Sequence, residues 1–279
     1  MNFWTALFLG IVQGLTEFLP VSSSGHLAIF ENLFGLRYSE DENLMFEVLL
    51  HLGTLVSVFL VYRKEIIPMV RDTWHFITGK GNRGKTEDGR VTVPVRTMIL
   101  VAIGTVPLIL ILPLHSALGK LFGNLSFIAL ALLVTGTILY AANKIPSGKK
   151  DERSVTAKDI LLIGAAQAVA VIPGISRSGA TTSVGIARGL KRDFAVRFSF
   201  LLSIPAVIGA FLLELIKAFV AGVNWALFPL YLVGMVVSAV VGYFAIGLMR
   251  RFVERMQLTY FSYYCWGVGV IVLIVSMFV

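Results

Sequence analysis

Two short stretches hold most of the chemistry this chain could perform. The first is QGLTEFLPVSSSGHL, Gln13 to Leu27, and the second is QAVAVIPGISRSGATTS, Gln167 to Ser183. In the first, Gln13 and Glu17 are four residues apart, so a helix places them on one face, and Pro20 stops that helix. Ser22, Ser23 and Ser24 suit the cap of the next helix, Gly25 allows close backbone approach, and His26 follows at once. In the second, Pro173-Gly174 breaks the chain, and Ser176-Arg177-Ser178 opens a helix that runs on through Gly179, Thr181 and Thr182. Free N–H groups, hydroxyls and an arginine fork at a helix start make an anion site, most naturally for phosphate. The plainer readings are that the serines only cap helices and that Glu17 and Arg177 form a structural ion pair.

The surrounding chain is apolar. Of 279 residues, 57% are hydrophobic and 14% charged, with a mean hydropathy of +0.83. Soluble domains carry roughly 25% charged residues, so a multi-pass membrane protein is expected. Six apolar runs, 44–62, 94–114, 118–142, 196–220, 225–249 and 259–278, approach or exceed the length of about 20 residues that crosses a bilayer. Four shorter pieces, 3–19, 24–36, 160–172 and 178–190, flank the two polar stretches. A 13-residue helix covers only about 20 Å, short of a core of about 30 Å. Irregular backbone and charge at membrane depth are tolerated only against a watery cavity or buried in protein, and mark function by default. Glu47 and His51, one turn apart in the span after the first stretch, are expected to support the site or to help hold a metal. Asp159 is expected to start a helix. The single cysteine, Cys265, excludes a disulfide framework and a cysteine metal site. The start, MNFWTALFLG, lacks the basic region of a cleaved signal peptide. The polar stretch from Arg63 to Arg96, including TGKGNRGKTEDGR, is read as a Gly-rich linker and not as a nucleotide site.

The positive charges set a topology. Loops 63–96, 143–158, 188–197 and 250–255 hold eight, five, four and three Lys/Arg, which is 20 of the 24. Placing all four in the cytoplasm lets the spans alternate, and the net charge of +8 then reports loops near anionic lipid, with no nucleic acid implied. Segment 160–190 must leave and re-enter the same side, as a re-entrant hairpin. Segment 1–36, followed by Arg37, Glu40, Asp41 and Glu42, becomes its counterpart on the outside. A shift of 154 residues places Gly10, Gln13, Ser22, Ser24 and Gly25 on Gly164, Gln167, Ser176, Ser178 and Gly179. The expected fold is therefore an all-α polytopic membrane protein with an inverted-topology repeat. Its halves are 1–143 and 144–279, with six transmembrane helices and two re-entrant helical hairpins whose tips meet at the midplane.

With Gln13-x-x-x-Glu17 running into PVSSSGHL, and with PGISRSGAT from Pro173 to Thr181, the chain resembles the undecaprenyl-pyrophosphate phosphatase family, also called the bacitracin-resistance (BacA/UppP) family. FEVLLHLGT, KDILLIGAAQAVAVIPG and the spacing of the spans extend the likeness across nearly the whole chain. The family carries Glu or Gln at the first motif position, so Gln13 leaves this site one carboxylate fewer. The resemblance implies removal of the terminal phosphate of undecaprenyl pyrophosphate with a divalent cation, Mg2+ or Ca2+. The product lipid carrier is recycled for cell-wall synthesis, which gives bacitracin resistance. In that scheme Arg177, with Ser22, Ser24, Gly174, Ser176, Ser178 and Thr181, binds the pyrophosphate. Glu17, with Gln13, holds the metal or positions the nucleophile. The nucleophile is Ser23 or a water, and His26 is the general acid/base or itself accepts the phosphoryl group.

The expected place is the bacterial inner (plasma) membrane, and because the first tip enters from outside, the site is expected to open to the periplasmic or outer side. A homodimer through Gly10-xxx-Gly14 or Gly185-xxx-Gly189 is expected as a further partner arrangement. The main rival is a polyprenyl-phosphate flippase, since inverted repeats with broken helices suit alternating access. An acid-phosphatase-like lipid phosphatase shares the Ser-Gly-His fragment. It needs Lys/Arg-Pro upstream and a second histidine downstream, and neither accompanies these two stretches.

Overall fold

A computed structural model describes residues 1–34, 40–79, 84–86, 90–111, 113, 118–221 and 225–278. Arg37 of the first outer loop and residues 80–83 and 87–89 of the Gly-rich stretch lie outside the described residues. Among the described residues ten α-helices follow in order: α1 (Phe3–Thr16), α2 (Ser23–Phe34), α3 (Glu40–Thr78), α4 (Val93–Leu110), α5 (Leu125–Asn143), α6 (Ala157–Val169), α7 (Arg177–Ala187), α8 (Arg192–Ala221), α9 (Phe228–Glu254) and α10 (Thr259–Val275). Among the described residues the only β pairing is two isolated bridges.

Among the described residues five segments are long and apolar enough to cross a membrane: Met45–Thr78, Val93–Ile111, Leu125–Asn143, Arg192–Lys217 and Trp225–Glu254. The sixth expected run, 259–278, forms a helix of 17 residues that gives way to a turn at Ser276. It reaches only about 26 Å. The run 118–142 also starts late, at Leu125, where the Asn124 side chain accepts from the Phe127 amide at 3.0 Å and caps α5. The four short pieces are helices α1, α2, α6 and α7, of 14, 12, 13 and 11 residues.

The linker reading of residues 63–96 needs correction. α3 does not end near Tyr62; it bends there, at φ −104° and ψ 17°, and continues to Thr78 with Pro68 inside. The charged run Arg63-Lys64-Glu65 reads as a loop, but Met69 beyond it joins the apolar cluster of Leu100, Val101 and Phe194, and that burial holds the extension helical. Gly79 to Thr86 does carry the G-x4-G-K-T spacing of a phosphate-binding loop. It follows a helix where that motif needs a strand, and Lys85 sits in a bridge to Val91 instead of opening a helix. The spacing therefore carries no nucleotide site.

Small residues set the helix packing. α1 lies along α9, and α6 along α4, while α3 packs on both α9 and α8, and α5 on α10. A Cβ on Gly10 would come within 2.8 Å of the Gly234 carbonyl oxygen, and one on Gly14 within 2.8 Å of Ser238 O and Val241 Cβ. Gly164 meets the Gly104 backbone in the same way across α6 and α4. Ser57 and Ser238 add interhelical bonds, to Ala239 O at 2.6 Å and Leu50 O at 3.0 Å. The Gly10/Gly14 face expected to pair two copies is thus covered by the chain's own α9. Gly185 is likewise buried against Ala195. At the base of α6, buried Asp159 sits in a capping box with Thr156 and accepts from Lys150 at 2.7 Å and Arg188 at 2.9 Å.

A Gly14→Val protein is expected to lose about 1–3 kcal/mol of stability from overpacking against backbone that cannot retreat. Its unfolding temperature in detergent should fall clearly, whereas Gly247→Ala, inside α9 at a position with open space around it, should hold or slightly raise that temperature, since alanine is the better helix former.

Candidate active site

Both polar stretches fold as bends between short helices. α1 stops at Thr16, whose hydroxyl bonds back to Val12 O at 2.7 Å. The chain turns through Pro20 and reaches Ser22 in the left-handed region, at φ 72°. A serine there is strained and persists only where its surroundings demand it. Ser22 Oγ accepts from the Gly25 amide at 3.3 Å, at the start of α2. In the second bend Gly174 has φ 93°, and a Cβ there would lie 2.6 Å from Ala131 Cβ, so only glycine suits it. Ser176 caps α7 by accepting from the Gly179 amide at 3.1 Å. Thr135 of α5 staples this bend: its hydroxyl donates to Gly174 O at 2.9 Å and accepts from the Ser176 amide at 3.1 Å.

The two bends interlock. A Cβ on Gly25 would fall 3.0 Å from Gly174 Cα, and one on Gly179 would fall 3.2 Å from Pro20 Cβ. Ser178 Oγ also donates to Leu19 O at 3.3 Å. Glycine on each bend therefore lets the opposite backbone come close, and the polar groups are pressed together.

Glu17 is the centre of what results. Its Oε1 accepts from Arg177 Nη2, an ion pair that joins the two bends. Its Oε2 accepts from Ser23 Oγ at 2.6 Å and from Gln13 Nε2 at 3.1 Å. Gln13 Nε2 also lies 3.1 Å from His51 Nδ1. Reversing that amide would set its oxygen against the Glu17 carboxylate, so the amide nitrogen faces both groups, and His51 Nδ1 is the acceptor. Glu17 is 7% exposed and Gln13 fully buried, while the His51 side chain is 31% exposed, so the cluster opens on its His51 side. Two buried polar atoms there have no partner among the described residues: Gln13 Oε1, an acceptor, and Arg177 Nη1, a donor. A buried donor left unmade is costly, and this one sits beside an ion pair that already neutralises the carboxylate.

The other expected residues are placed differently. His26 is buried, with Nδ1 2.8 Å from Ser22 O and Nε2 2.8 Å from the Tyr264 hydroxyl of α10. Ser22 and Ser176 are occupied as caps, with Ser24 Oγ 3.5 Å from Ser22 Oγ and Ser178 Oγ 3.3 Å from Ser176 Oγ. Thr181 turns to α8, 2.5 Å from Ser199 Oγ, and donates to Arg177 O at 2.8 Å. Gly174 shapes the bend. Glu47 is half-buried one turn before His51 on α3. Thr135 and Tyr264 were not singled out in the sequence, because a threonine or a tyrosine inside an apolar run is too common to stand out.

The oxygen donors that a hard divalent cation would use here are few. Among the described residues no three His, Cys, Asp or Glu come together. Gln13 Oε1 is an unpartnered acceptor, while both Glu17 oxygens already accept from Arg177, Ser23 and Gln13, so a cation would take Glu17 only by displacing one of those donors; Mg2+ needs only one or two protein carboxylates when phosphate and water fill the rest.

A family model described as Bacitracin resistance protein BacA matches residues 6–271. The chain belongs to the BacA family. Relatives named undecaprenyl-diphosphatase include one from Carboxydothermus hydrogenoformans, 42% identical over 221 residues, covering 79% of this chain and 76% of the relative. One from Alkaliphilus metalliredigens is 39% identical over 246 residues, 85% of this chain and 86% of the relative. One from Desulfatibacillum aliphaticivorans is 36% identical over 282 residues, 99% of each. BacA membership thus spans both interlocked bends and every helix that holds them.

Thr135→Val keeps the side-chain shape and removes both staple bonds. It should destabilise the BacA fold by about 1–3 kcal/mol, because the Ser176 amide and Gly174 carbonyl stay buried and unpaired. Thermal unfolding in detergent measures it.

Proposed function

We propose that this chain is an integral-membrane phosphatase that hydrolyses undecaprenyl pyrophosphate to undecaprenyl phosphate and phosphate. The observation that carries this reading is Ser23 Oγ at 2.6 Å from a carboxylate that is itself paired with Arg177. A hydroxyl hydrogen-bonded to a base beside a fixed cation is the arrangement phosphoryl transfer asks for. The relatives' shared name, undecaprenyl-diphosphatase, supports the substrate. So does an apolar exterior, where a polyprenyl tail can remain in lipid while the headgroup reaches the cluster. A flippase would leave the Ser23–Glu17 contact without a use.

In the proposed reaction Ser23 gives its proton to Glu17, and its Oγ attacks the terminal phosphorus. The bond to the bridging oxygen breaks, and undecaprenyl phosphate leaves. Arg177 Nη1, unpartnered at rest, donates to the charged phosphoryl oxygens. After Glu17 releases its proton to water, a second water attacks the phosphoseryl phosphorus. Glu17 takes that water's proton, and Ser23 Oγ leaves and regains it. His26, three residues after Ser23 on α2, is assigned proton transfer to the departing undecaprenyl phosphate. Ser22, Ser24, Gly174, Ser176, Ser178 and Thr181 hold the bends that present these groups to the pyrophosphate. A divalent cation held by Glu17 and Gln13 would supply charge neutralisation between the two phosphates, with Glu47 and His51 behind it.

The architecture we propose is the inverted repeat of residues 1–143 and 144–279, with α10 as a sixth span and α1–α2 and α6–α7 as re-entrant hairpins. Its support is the exchange of partners: α1 packs on α9 as α6 packs on α4, through the equivalent residues Gly10 and Gly164. The bend contacts Gly25 to Gly174 and Gly179 to Pro20 correspond under the same 154-residue shift. The basic loops support a site open to the outer face of a bacterial plasma membrane. A homodimer would use faces other than the two glycine stripes.

Purified protein in detergent should release phosphate from a polyprenyl pyrophosphate, and a chelator should suppress that release. Arg177→Ala should lower the turnover by at least about a hundredfold. A near-wild-type rate for that variant would reject the assignment. Substrate labelled in its terminal phosphate should leave label on the protein after rapid acid quench, and Ser23→Ala should leave none. Label that persists in Ser23→Ala would move the nucleophile elsewhere.

A further inference from the structure

His26 is held by atoms outside the Glu17 cluster. The Ser22 carbonyl 2.8 Å from Nδ1 can only accept, so Nδ1 carries a proton. In the neutral ring Nε2 then presents a lone pair, and the Tyr264 hydroxyl at 2.8 Å is its donor. The rings lie nearly parallel, 10° apart, with centroids separated by 5.6 Å. The next residue repeats the attachment: Cys265 is buried, and its Sγ lies 3.8 Å from Pro20 O. α10 thus grips the first bend at two consecutive residues, although it comes from the far end of the chain. The same Ser22 carbonyl also accepts from the His26 amide at 3.2 Å, so one oxygen holds both the backbone and the ring of His26.

Accessibility separates the two rings. His26 is 4% exposed and Tyr264 45%. Nδ1 is closed off by Ser22, and Nε2 faces only the phenol. A proton that enters or leaves His26 at Nε2 therefore meets the Tyr264 oxygen first. A phenol suits that position because it donates to a neutral imidazole and accepts from an imidazolium, so the contact survives either protonation state.

We propose that Tyr264 is a positioning residue for the phosphoryl-transfer reaction: it fixes the tautomer and direction of His26 and is the group through which that imidazole exchanges its proton. In one exchange the Tyr264 hydroxyl gives its proton to Nε2 while its oxygen takes one from the water or phosphate oxygen outside. Return runs the same bonds backward. No further reactant is needed. The proposal rests on the reading in which His26 moves a proton during turnover.

The test is a double-mutant cycle on phosphate release, with thermal stability measured alongside. Tyr264→Phe keeps the stacked ring and removes only the hydroxyl. It should lower kcat about tenfold with KM within about twofold, the size expected for loss of one hydrogen bond to a group that becomes charged. On a His26→Ala background, Tyr264→Phe should cause no further loss of the residual rate. A Tyr264→Phe protein that turns over at the wild-type rate overturns the proposal. Equal losses on both backgrounds also overturn it, as does a rate loss matched by a fall in unfolding temperature, since either marks a packing role. A His26→Ala protein with the wild-type rate would instead sink the reading of His26 beneath it, whatever Tyr264→Phe shows.

Discussion

The structure is organised around one buried ion pair, Glu17 with Arg177, that spans two bends of the chain. Neither charge is tolerable alone in an apolar interior, where an unpaired ion carries a penalty of several kcal/mol. Their attraction offsets that penalty only if the bends are held in contact. That requirement explains the glycines at the interface. Gly25 and Gly174 let two backbones approach closely, and Gly179 does the same against Pro20. It also explains Thr135, whose single hydroxyl satisfies a carbonyl and an amide that the second bend leaves open.

Around that pair the polar groups divide by task. Gln13 and Ser23 donate to one oxygen of Glu17 and leave the other to Arg177. The hydroxyls of Ser22, Ser176 and Thr181 are engaged within their own hairpins or against α8, so they set backbone direction. On Gln13 and Arg177 an amide oxygen and a guanidinium nitrogen remain without partners among the described residues. One invites a cation or water and the other an anion. A pyrophosphate with its counter-ion would supply both, and the proposed phosphoryl-transfer role rests on that match.

Much of this was legible in the residues. Ionisable groups are so expensive in an apolar chain that Glu17 and Arg177 stand out by type alone, and the broken helices beside them are marked by Pro20 and Pro173-Gly174. Other features were not legible. α3 continues past Arg63-Lys64-Glu65 because Met69 and Tyr62 are buried by neighbours far along the chain, and no local pattern of charge foretells that. The Gly10/Gly14 stripe suits another copy as well as it suits α9, and only the folded chain decides between them. Tyr264 is one aromatic among several in TYFSYYCW, and its role comes from meeting a histidine 238 residues away.

The sequence by itself determined the solvent, the broken helices and the chemical identity of the reactive groups, because apolar length, proline, glycine and charge act locally. The tertiary structure decided which groups face one another. It turned Ser23 toward Glu17 and His26 toward Tyr264, although both serine and histidine belong to one helix. Side-chain direction depends on the packing of helices distant in the chain, and hydrogen bonds are lost within a fraction of an ångström of misplacement.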